Sequence, residues 1–340
     1  MSVWRLLHGN GSVPYLARQG GAALLAAMLT VTLVATLAAA AMWQQWRNVE
    51  VESAERTRMQ TGWLLLGAQD WARLILREDA RSGGADHLAE PWAVPLQESR
   101  LSSFLASGND ASDTAQDAFL SGQIVDMQSR LNVLNLVEND KVSQTALAGF
   151  AKLFDLLGLP AEEPPLLAQN LLLANSSVTD KPAVSLMPAR IEQLTWLGLS
   201  ARSVEVLTPF VTILPERTTV NLNTASAEVI YASIVGLAMA DAKRLVTERS
   251  RSHFRTLADV NRALTNVVGP LNVSQHSVAT RFFEVRGRLR LDQTTVEDRS
   301  LVQRDGLDVK TLWRDHGVIS RLPSRFPSVF LNLPAPCSGY

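Results

Sequence analysis

The feature that most constrains this chain is a long uncharged stretch near its N-terminus. From Ala22 to Trp43 no residue carries a charge, and nearly all are Ala, Leu, Val, Met or Thr. As a helix rising about 1.5 Å per residue, this stretch spans roughly 33 Å, which is enough to cross the hydrocarbon core of a membrane. The sequence therefore predicts a transmembrane helix over residues 22–46, with Trp43 and Trp46 at one membrane surface.

The charges on either side of the stretch predict its orientation. Residues 1–21 contain Arg5 and Arg18 and no acidic residue, whereas the basic residues just after the stretch are offset by glutamates. Positively charged flanks are retained in the cytoplasm. We therefore expect the N-terminus in the cytoplasm and the remainder of the chain on the other side.

Three interpretations of this N-terminal segment compete: a cleavable secretory signal, an uncleaved anchor, and a leader that is cut on the cytoplasmic side of the apolar run. The stretch is longer than the apolar region of a usual secretory signal. No proline occurs between Pro14 and Pro91, and helix-forming residues continue to a stop signal at Ser82-Gly83-Gly84. A rod from residue 22 to 81 would be roughly 90 Å long. Such a rod suits a subunit that packs against helices of its copies or relatives.

The composition excludes several classes of function. The formal net charge is −1, so the chain lacks the basic excess typical of nucleic-acid binding. Its one cysteine, Cys337, permits no intramolecular disulfide, and the five histidines show no metal-ligand spacing. We find no phosphate loop, metalloprotease helix motif or Cys–His pair. The sequence therefore predicts that the chain is not an enzyme.

The junction before the apolar helix resembles a known processing site. Residues 18–25, Arg-Gln-Gly-Gly-Ala-Ala-Leu-Leu, are similar to the prepilin-type leader junction of type IV pilins and pseudopilins. The resemblance implies cleavage after Gly21 and N-methylation of Ala22, although Gly20 is a second candidate from the sequence alone.

One departure from the pilin pattern narrows the family. Most pilins carry glutamate at the fifth mature position, which here is Ala26. A carboxylate inside the membrane is costly without a partner, so its absence fits a subunit with no neighbour above it. The same departure marks minor pseudopilin K of the type II secretion system, and the chain resembles that family.

Two motifs in the remainder of the chain resemble the same family. One follows the pattern Asp-x-x-x-Arg-x-Asn-x-x-x-Leu, and the other is Asn-x-Asn-Thr-Ala at the entry to a helix. Their residues are Asp126, Arg130 and Asn132, and Asn221, Asn223, Thr224 and Ala225. We expect Asn132 and Asn135 to close local turns rather than to bind a ligand.

The second motif carries its own structural prediction. Because Asn and Thr side chains accept hydrogen bonds from free helix amides, Asn223 or Thr224 is expected to cap a helix that begins near Ala225.

The order of strand and helix signals predicts an α+β fold. A long N-terminal transmembrane and assembly helix precedes a pilin-like antiparallel sheet domain, which a large all-α domain interrupts. The predicted boundaries are 1–21 for the leader, 22–46 for the transmembrane helix, 47–84 for its exported continuation, 85–135 for the first part of the sheet domain, 136–280 for the inserted α-domain, 281–317 for the remaining strands and 318–340 for a proline-rich tail.

The resemblance implies a function in protein secretion. It implies a minor pseudopilin at the tip of the type II secretion pseudopilus, where it primes assembly for export across the outer membrane. The implied partners are the I- and J-type minor pseudopilins, prepilin peptidase and the inner-membrane secretion platform. The chain would cross the inner membrane once, with its C-terminal domain in the periplasm.

The resemblance implies no required cofactor, although calcium is possible because globular domains of pseudopilins can bind it. A loop-like stretch offers oxygen ligands without the spacing of an EF-hand, and we assign no ligand from it. The residues are Asn109, Asp110, Asp113 and Asp117.

Two other functions remain open at this stage. Residues 220–265 resemble a helix-hairpin-helix module, which would make the chain a membrane-anchored DNA receptor with Lys243, Arg244, Arg249 and Arg251 near the phosphates. Neighbouring acidic residues oppose that use, since DNA binding prefers an unopposed basic surface. The other is a periplasmic enzyme released by signal peptidase, but the sequence offers no candidate site for it.

Overall fold

The computed structural model describes residues 20–100, 118–175, 186–264, 271–291 and 294–319. Seven α-helices lie in these ranges: α1 (Gly20–Ser82), α2 (Gln144–Leu157), α3 (Glu163–Asn175), α4 (Ala201–Leu207), α5 (Ala227–Ser233), α6 (Met239–Arg251) and α7 (Leu257–Ala263). The long strands are β1 (Leu96–Arg100), β2 (Ala118–Asp126), β9 (Phe282–Leu291), β10 (Thr294–Asp305) and β11 (Asp308–Ile319). Six two-residue strands lie between β2 and β9: β3 (Leu131–Asn132), β4 (Val137–Glu138), β5 (Lys141–Val142), β6 (Val211–Thr212), β7 (Val220–Asn221) and β8 (His276–Ser277).

Helix α1 begins in the uncharged stretch and ends at the predicted stop. Gly83 and Gly84 follow it with φ angles of 63° and 117°, a conformation that glycine adopts without steric cost. The chain divides into two compact units at Gln60 and Thr61. In the first unit, the described apolar side chains of α1 are exposed. The threonine hydroxyls there donate to carbonyls of the preceding turn, so the helix presents few unsatisfied polar groups.

The second unit contains a five-stranded sheet of order β1-β2-β9-β10-β11, and every neighbouring pair is antiparallel. Alternate residues of β9 point toward the C-terminal part of α1. Leu65 of α1 packs with Leu289 in one apolar cluster, and Leu76 packs with Phe283 in another. This burial fixes the register, because a one-residue slip would turn the apolar side chains of β9 toward water.

A polar network also joins α1 to the sheet. The Gln69 amide donates to the fully buried carboxylate of Asp298 at 2.8 Å and accepts from Ser300. The Arg314 guanidinium contacts both oxygens of Asp298, at 2.8 and 3.0 Å. The buried charge of Asp298 is thus paired and hydrogen-bonded, as burial requires.

The segment between β2 and β9 is mainly helical and has a core of its own. Phe150, Leu167, Leu194 and Ile230 belong to one apolar cluster that draws only on residues of this segment. The short parallel pairs β3–β6 and β7–β8 lie within it. A helical insertion inside an antiparallel sheet, preceded by a long apolar helix, confirms the predicted fold class.

Candidate functional site

The residues of the predicted processing junction lie at the start of α1. Gly21, Ala22 and Ala26 are helical, and residues 1–19 of the leader fall outside the described ranges. One helix in the described residues, α1, is long and apolar enough to cross a membrane. Ala26 is exposed, and no residue of α1 from Ala22 to Trp43 carries a charge.

The motif residue Asp126 is the centre of a buried polar cluster at the end of β2. Its carboxylate accepts four hydrogen bonds from three segments of the chain. The donor atoms are the Gln128 N–H at 2.7 Å, Thr280 Oγ1 at 2.7 Å, Asn221 Nδ2 at 2.9 Å and Thr224 Oγ1 at 2.6 Å. Burial raises the pKa of Asp126. The carboxylate therefore ties both ends of the helical insertion to the sheet.

The second motif folds as a turn that faces this cluster. The Asn221 side chain accepts from the Asn223 N–H at 3.0 Å, and the Asn223 amide pairs with both the N–H and the C=O of Phe254 at 2.9 Å. The predicted helix cap is wrong. Helix α5 begins at Ala227, and the Ser226 hydroxyl caps it by accepting from the Val229 N–H. Asn223 and Thr224 are instead engaged by Phe254 and Asp126.

Asn132 and Asn135 hold a distant segment in addition to closing a local turn. Asn132 Oδ1 accepts from the Leu134 N–H, as a turn residue does. Its Nδ2 donates to the Glu216 C=O at 2.7 Å, and Asn135 exchanges two hydrogen bonds with the Thr218 backbone. The motif residue Arg130 donates to the Thr208 C=O at 3.4 Å. These contacts fix the segment before β7, and with it the position of the second motif.

Two family models match the chain, and both describe protein K of the type II secretion system. They match residues 129–216 and 220–278, which contain Arg130, Asn132 and the Asn221–Ala225 motif. A protein of Pseudomonas aeruginosa named type II secretion system protein K is 28% identical over 326 residues, covering 88% of this chain and 93% of the relative. The chain is thus similar to protein K of the type II secretion system over most of its length.

Further relatives agree with this assignment. Type II secretion system protein K of Pectobacterium carotovorum subsp. carotovorum is 24% identical over 327 residues, covering 88% of this chain and 97% of the relative. A chain in the crystal structure of the GspK–GspI–GspJ complex from the enterotoxigenic Escherichia coli type 2 secretion system shares the fold. Its TM-score is 0.58 at 18% identity, covering 78% of this chain and 98% of that chain. The family predicted from the sequence is confirmed.

Three buried polar residues, Asp86, Thr280 and Arg304, lie outside the two sequence motifs, so the sequence did not predict their contacts. Thr280 donates its hydroxyl to Asp126 and its N–H to Asp86 at 2.7 Å, and Arg304 contacts Asp79 and Asp86. Asp86 precedes Thr280 by 194 positions. Because each partner lies in a different element, no local spacing in the sequence signals the contact.

Calcium binding by this chain stays a prediction without assigned ligands. The four residues between 109 and 117 lie outside the described ranges. Among the described residues, Asp79, Asp86 and Glu90 each offer an oxygen within 4.8 Å of the others. Arg304 pairs with both aspartates, and Glu90 accepts from the His87 N–H and the Trp92 indole. Internal partners thus account for the cluster without a metal.

Some of the basic residues proposed for DNA contact already bind groups within the protein. Arg249 donates to the Leu222 C=O at 2.6 Å. Arg244 pairs with Asp241 at 3.1 Å and donates to the Ala263 C=O. Two of the four basic residues named from the sequence are therefore engaged with backbone or acidic groups, which weakens the case for an unopposed phosphate-binding surface.

Proposed function

We propose that this K-family minor pseudopilin occupies the tip of the type II secretion pseudopilus and primes its assembly for protein export across the outer membrane. The observation that carries the proposal is α1, a single helix that starts as a membrane-length uncharged segment and ends against a sheet domain. Assembly through such a helix needs only helix packing and the high cost of withdrawing apolar side chains from lipid. We propose no enzymatic activity.

The N-terminus is cut after Gly21 by prepilin peptidase, and Ala22 becomes the N-methylated first residue. The chain then crosses the inner membrane once, with its C-terminal domain in the periplasm. The excess of Arg5 and Arg18 before the apolar stretch supports this orientation.

The partners are the I- and J-type minor pseudopilins and the inner-membrane secretion platform. Support comes from the GspK–GspI–GspJ complex of Escherichia coli, in which the structural relative was crystallised. Two features of this chain favour the tip. Ala26 offers no charge to a subunit above it, and the unit from Thr61 to Tyr340 is bulky for a repeat along a thin fibre.

The mass of the N-terminal peptide from protein made in the native host tests the processing step. A peptide that starts at N-methylated Ala22 is expected, and Gly21→Leu should leave the leader attached because a bulky side chain occupies the cleavage position. A start near Met42 would indicate an ordinary secretory signal and contradict the proposal. An intact Met1 would indicate a plain anchor.

Co-purification tests the tip role. The full-length chain, extracted in detergent, should retain the I- and J-type subunits of its host. Absence of every minor pseudopilin from the purified material would contradict the proposal. Salt-dependent DNA binding by the same preparation at low ionic strength would instead support the DNA-receptor hypothesis.

A further inference from the structure

The two edges of the five-stranded sheet differ in length. One edge is β1, with five residues, and the other is β11, with twelve. Within the described residues β11 pairs only with β10, so every second residue of β11 directs its N–H and C=O away from the sheet. A long edge strand of this kind is a template for pairing with another strand. The edge formed by β11 is therefore a surface that fits one more strand.

The charges near the end of β11 do not protect this edge. Edge strands are commonly protected by charged side chains that disfavour the approach of another strand. Here Arg314 binds the buried carboxylate of Asp298, and Asp315 lies 3.2 Å from Arg190. Both charges are thus paired within the protein, and a neighbouring strand would not leave either of them without a partner.

A bulge separates this end of β11 from the remainder of the strand. The pairing with β10 shifts between Leu301 and Val302, and residues 314–319 lie in the part that pairs without interruption. At the bulge Leu312 and Trp313 are 40% and 41% exposed, which leaves apolar surface beside the edge. A strand of six residues would therefore meet a regular ladder with apolar side chains at one end of it.

The chain itself supplies a segment of this length. Residues 320–340 follow β11 directly and lie outside the described residues. Among them, residues 328–333 have the sequence Ser-Val-Phe-Leu-Asn-Leu, carry no charge and are bounded by Pro327 and Pro334. A short apolar run between such breakers is typical of a strand. Since proline lacks the N–H that a ladder requires, the two prolines also set the limits of the pairing.

We propose that residues 328–333 form a sixth strand of the sheet, paired antiparallel with residues 314–319. The connection between them contains Pro323 and Ser324, residue types that favour turns, and is long enough to reverse the chain. Because this connection is short, the effective concentration of the segment at its own edge is on the order of millimolar, which favours it over a strand from another molecule. The added strand closes the edge to other chains. This inference goes beyond the proposed function, since it holds whether or not the chain lies at the tip.

Leu331→Pro in the full-length chain, extracted in detergent, tests the pairing, because proline removes an N–H at the centre of the segment. Hydrogen exchange of the amides of residues 314–319 is measured residue by residue. The amides that point away from β10 should exchange about tenfold or more faster in the variant than in wild type. The amides that donate to β10 should change by less than about twofold, because their own pairing is retained. Equal acceleration of both sets would overturn the proposal, since it would indicate general loosening of β11.

Ser338→Pro is the control, because it adds a proline to the same tail outside the segment and should exchange as wild type does. A chain that ends at Ile319 is the second variant. It lacks the segment and should reproduce the exchange of Leu331→Pro. Equal exchange of the outward amides in wild type and in both tail variants would contradict the pairing.

Dilution identifies the molecule that supplies the strand. Pairing within one chain is independent of protein concentration, so protection of the outward amides should persist at one tenth of the starting concentration. Loss of that protection on dilution would assign the strand to a second molecule and overturn the proposal.

Discussion

At the scale of single residues, a buried carboxylate is stabilised by hydrogen bonds alone. Asp126 is buried and accepts from one backbone N–H and three side chains, and no cation contacts it directly in the described part of the chain. Hydrogen bonds to a charged group are stronger than those between neutral groups, whereas donors left without an acceptor are costly. The stability of the junction between sheet and insertion therefore depends strongly on one side chain.

Asp126→Ala should lower the free energy of unfolding by about 3 kcal/mol, because four buried hydrogen bonds to one carboxylate are lost together. Urea unfolding of the detergent-solubilised chain, followed by circular dichroism, measures the change. Asp155→Ala is the control, since Asp155 is exposed on α2, and it should stay within about 0.5 kcal/mol of wild type. Equal stability of the two variants would show that the cluster around Asp126 contributes little.

Glu90 gives the fold a predicted dependence on pH. Burial raises its pKa to about 7, above the ordinary value of 4.5. A carboxyl whose pKa is higher in the folded state stabilises the fold when it is protonated. This contribution is complete below pH 4.5 and is lost as the pH rises through about 7.

The glutamine of Glu90→Gln cannot ionise. The unfolding free energy of this variant should therefore increase relative to that of wild type as the pH rises. After allowance for the partial exposure of Glu90, we expect a relative gain on the order of 1 kcal/mol in unfolding free energy. Unfolding titrations on both sides of pH 7 measure it, with exposed Glu192→Gln as the control. A difference between Glu90→Gln and wild type that does not change with pH would contradict the assignment.

At the scale of elements, the C-terminal part of α1 and the five-stranded sheet stabilise each other. The apolar contacts of Leu65 and Leu76 fix the register, and Gln69 adds a hydrogen bond to the fully buried Asp298. Asp298 in turn needs the guanidinium of Arg314 on the neighbouring strand. Because breaking one partner of a buried ion pair leaves an uncompensated charge, the cost exceeds that of losing an exposed pair.

Arg314→Ala should therefore destabilise the fold by about 3–5 kcal/mol. Arg299→Ala is a matched control on the adjacent strand β10, where the arginine is largely exposed and lies 3.9 Å from Glu297. The control substitution should lower the free energy of unfolding by no more than about 1 kcal/mol. Thermal unfolding distinguishes the two, and similar melting temperatures would mean that Asp298 finds another partner.

At the scale of the whole molecule, the proposed assembly depends on a helix segment that carries no charge. Ala26 lies where a carboxylate would need a partner amine from a neighbouring subunit. A single charge in the membrane costs about 2.5–3.5 kcal/mol on an insertion scale. In the proposed tip position no neighbour lies above the chain to offset that cost, so a charge at residue 26 should be harmful.

Ala26→Glu should therefore reduce both secretion by the native host and the recovery of I- and J-type subunits, by about tenfold or more. Ala26→Gln is the control for size, because it has nearly the same shape without the charge, and it should retain most of both. Full secretion with Ala26→Glu would mean that a neighbour neutralises this position, and it would argue against the tip.

Local sequence signals predict much of the secondary structure of this protein. The uncharged stretch, the glycines after Ser82 and the alternation along β9 predict the long helix, its end and a half-buried strand, because each depends only on residues close in sequence. The family motifs likewise include Asp126 and Asn223, both of which are buried and hydrogen-bonded in the structure.

Tertiary structure decided what those motif residues do. Asn223 and Thr224 have side chains suited to capping, yet Ser226 caps α5 because Phe254 and Asp126 already engage the other two. Sequence alone could not predict this outcome, because local propensity for a cap competes with partners that only the folded chain brings near. For the same reason, the sequence does not predict the hydrogen bonds from Lys152 to three backbone carbonyls. The carbonyls belong to residues about 80 positions away and carry no sequence signature.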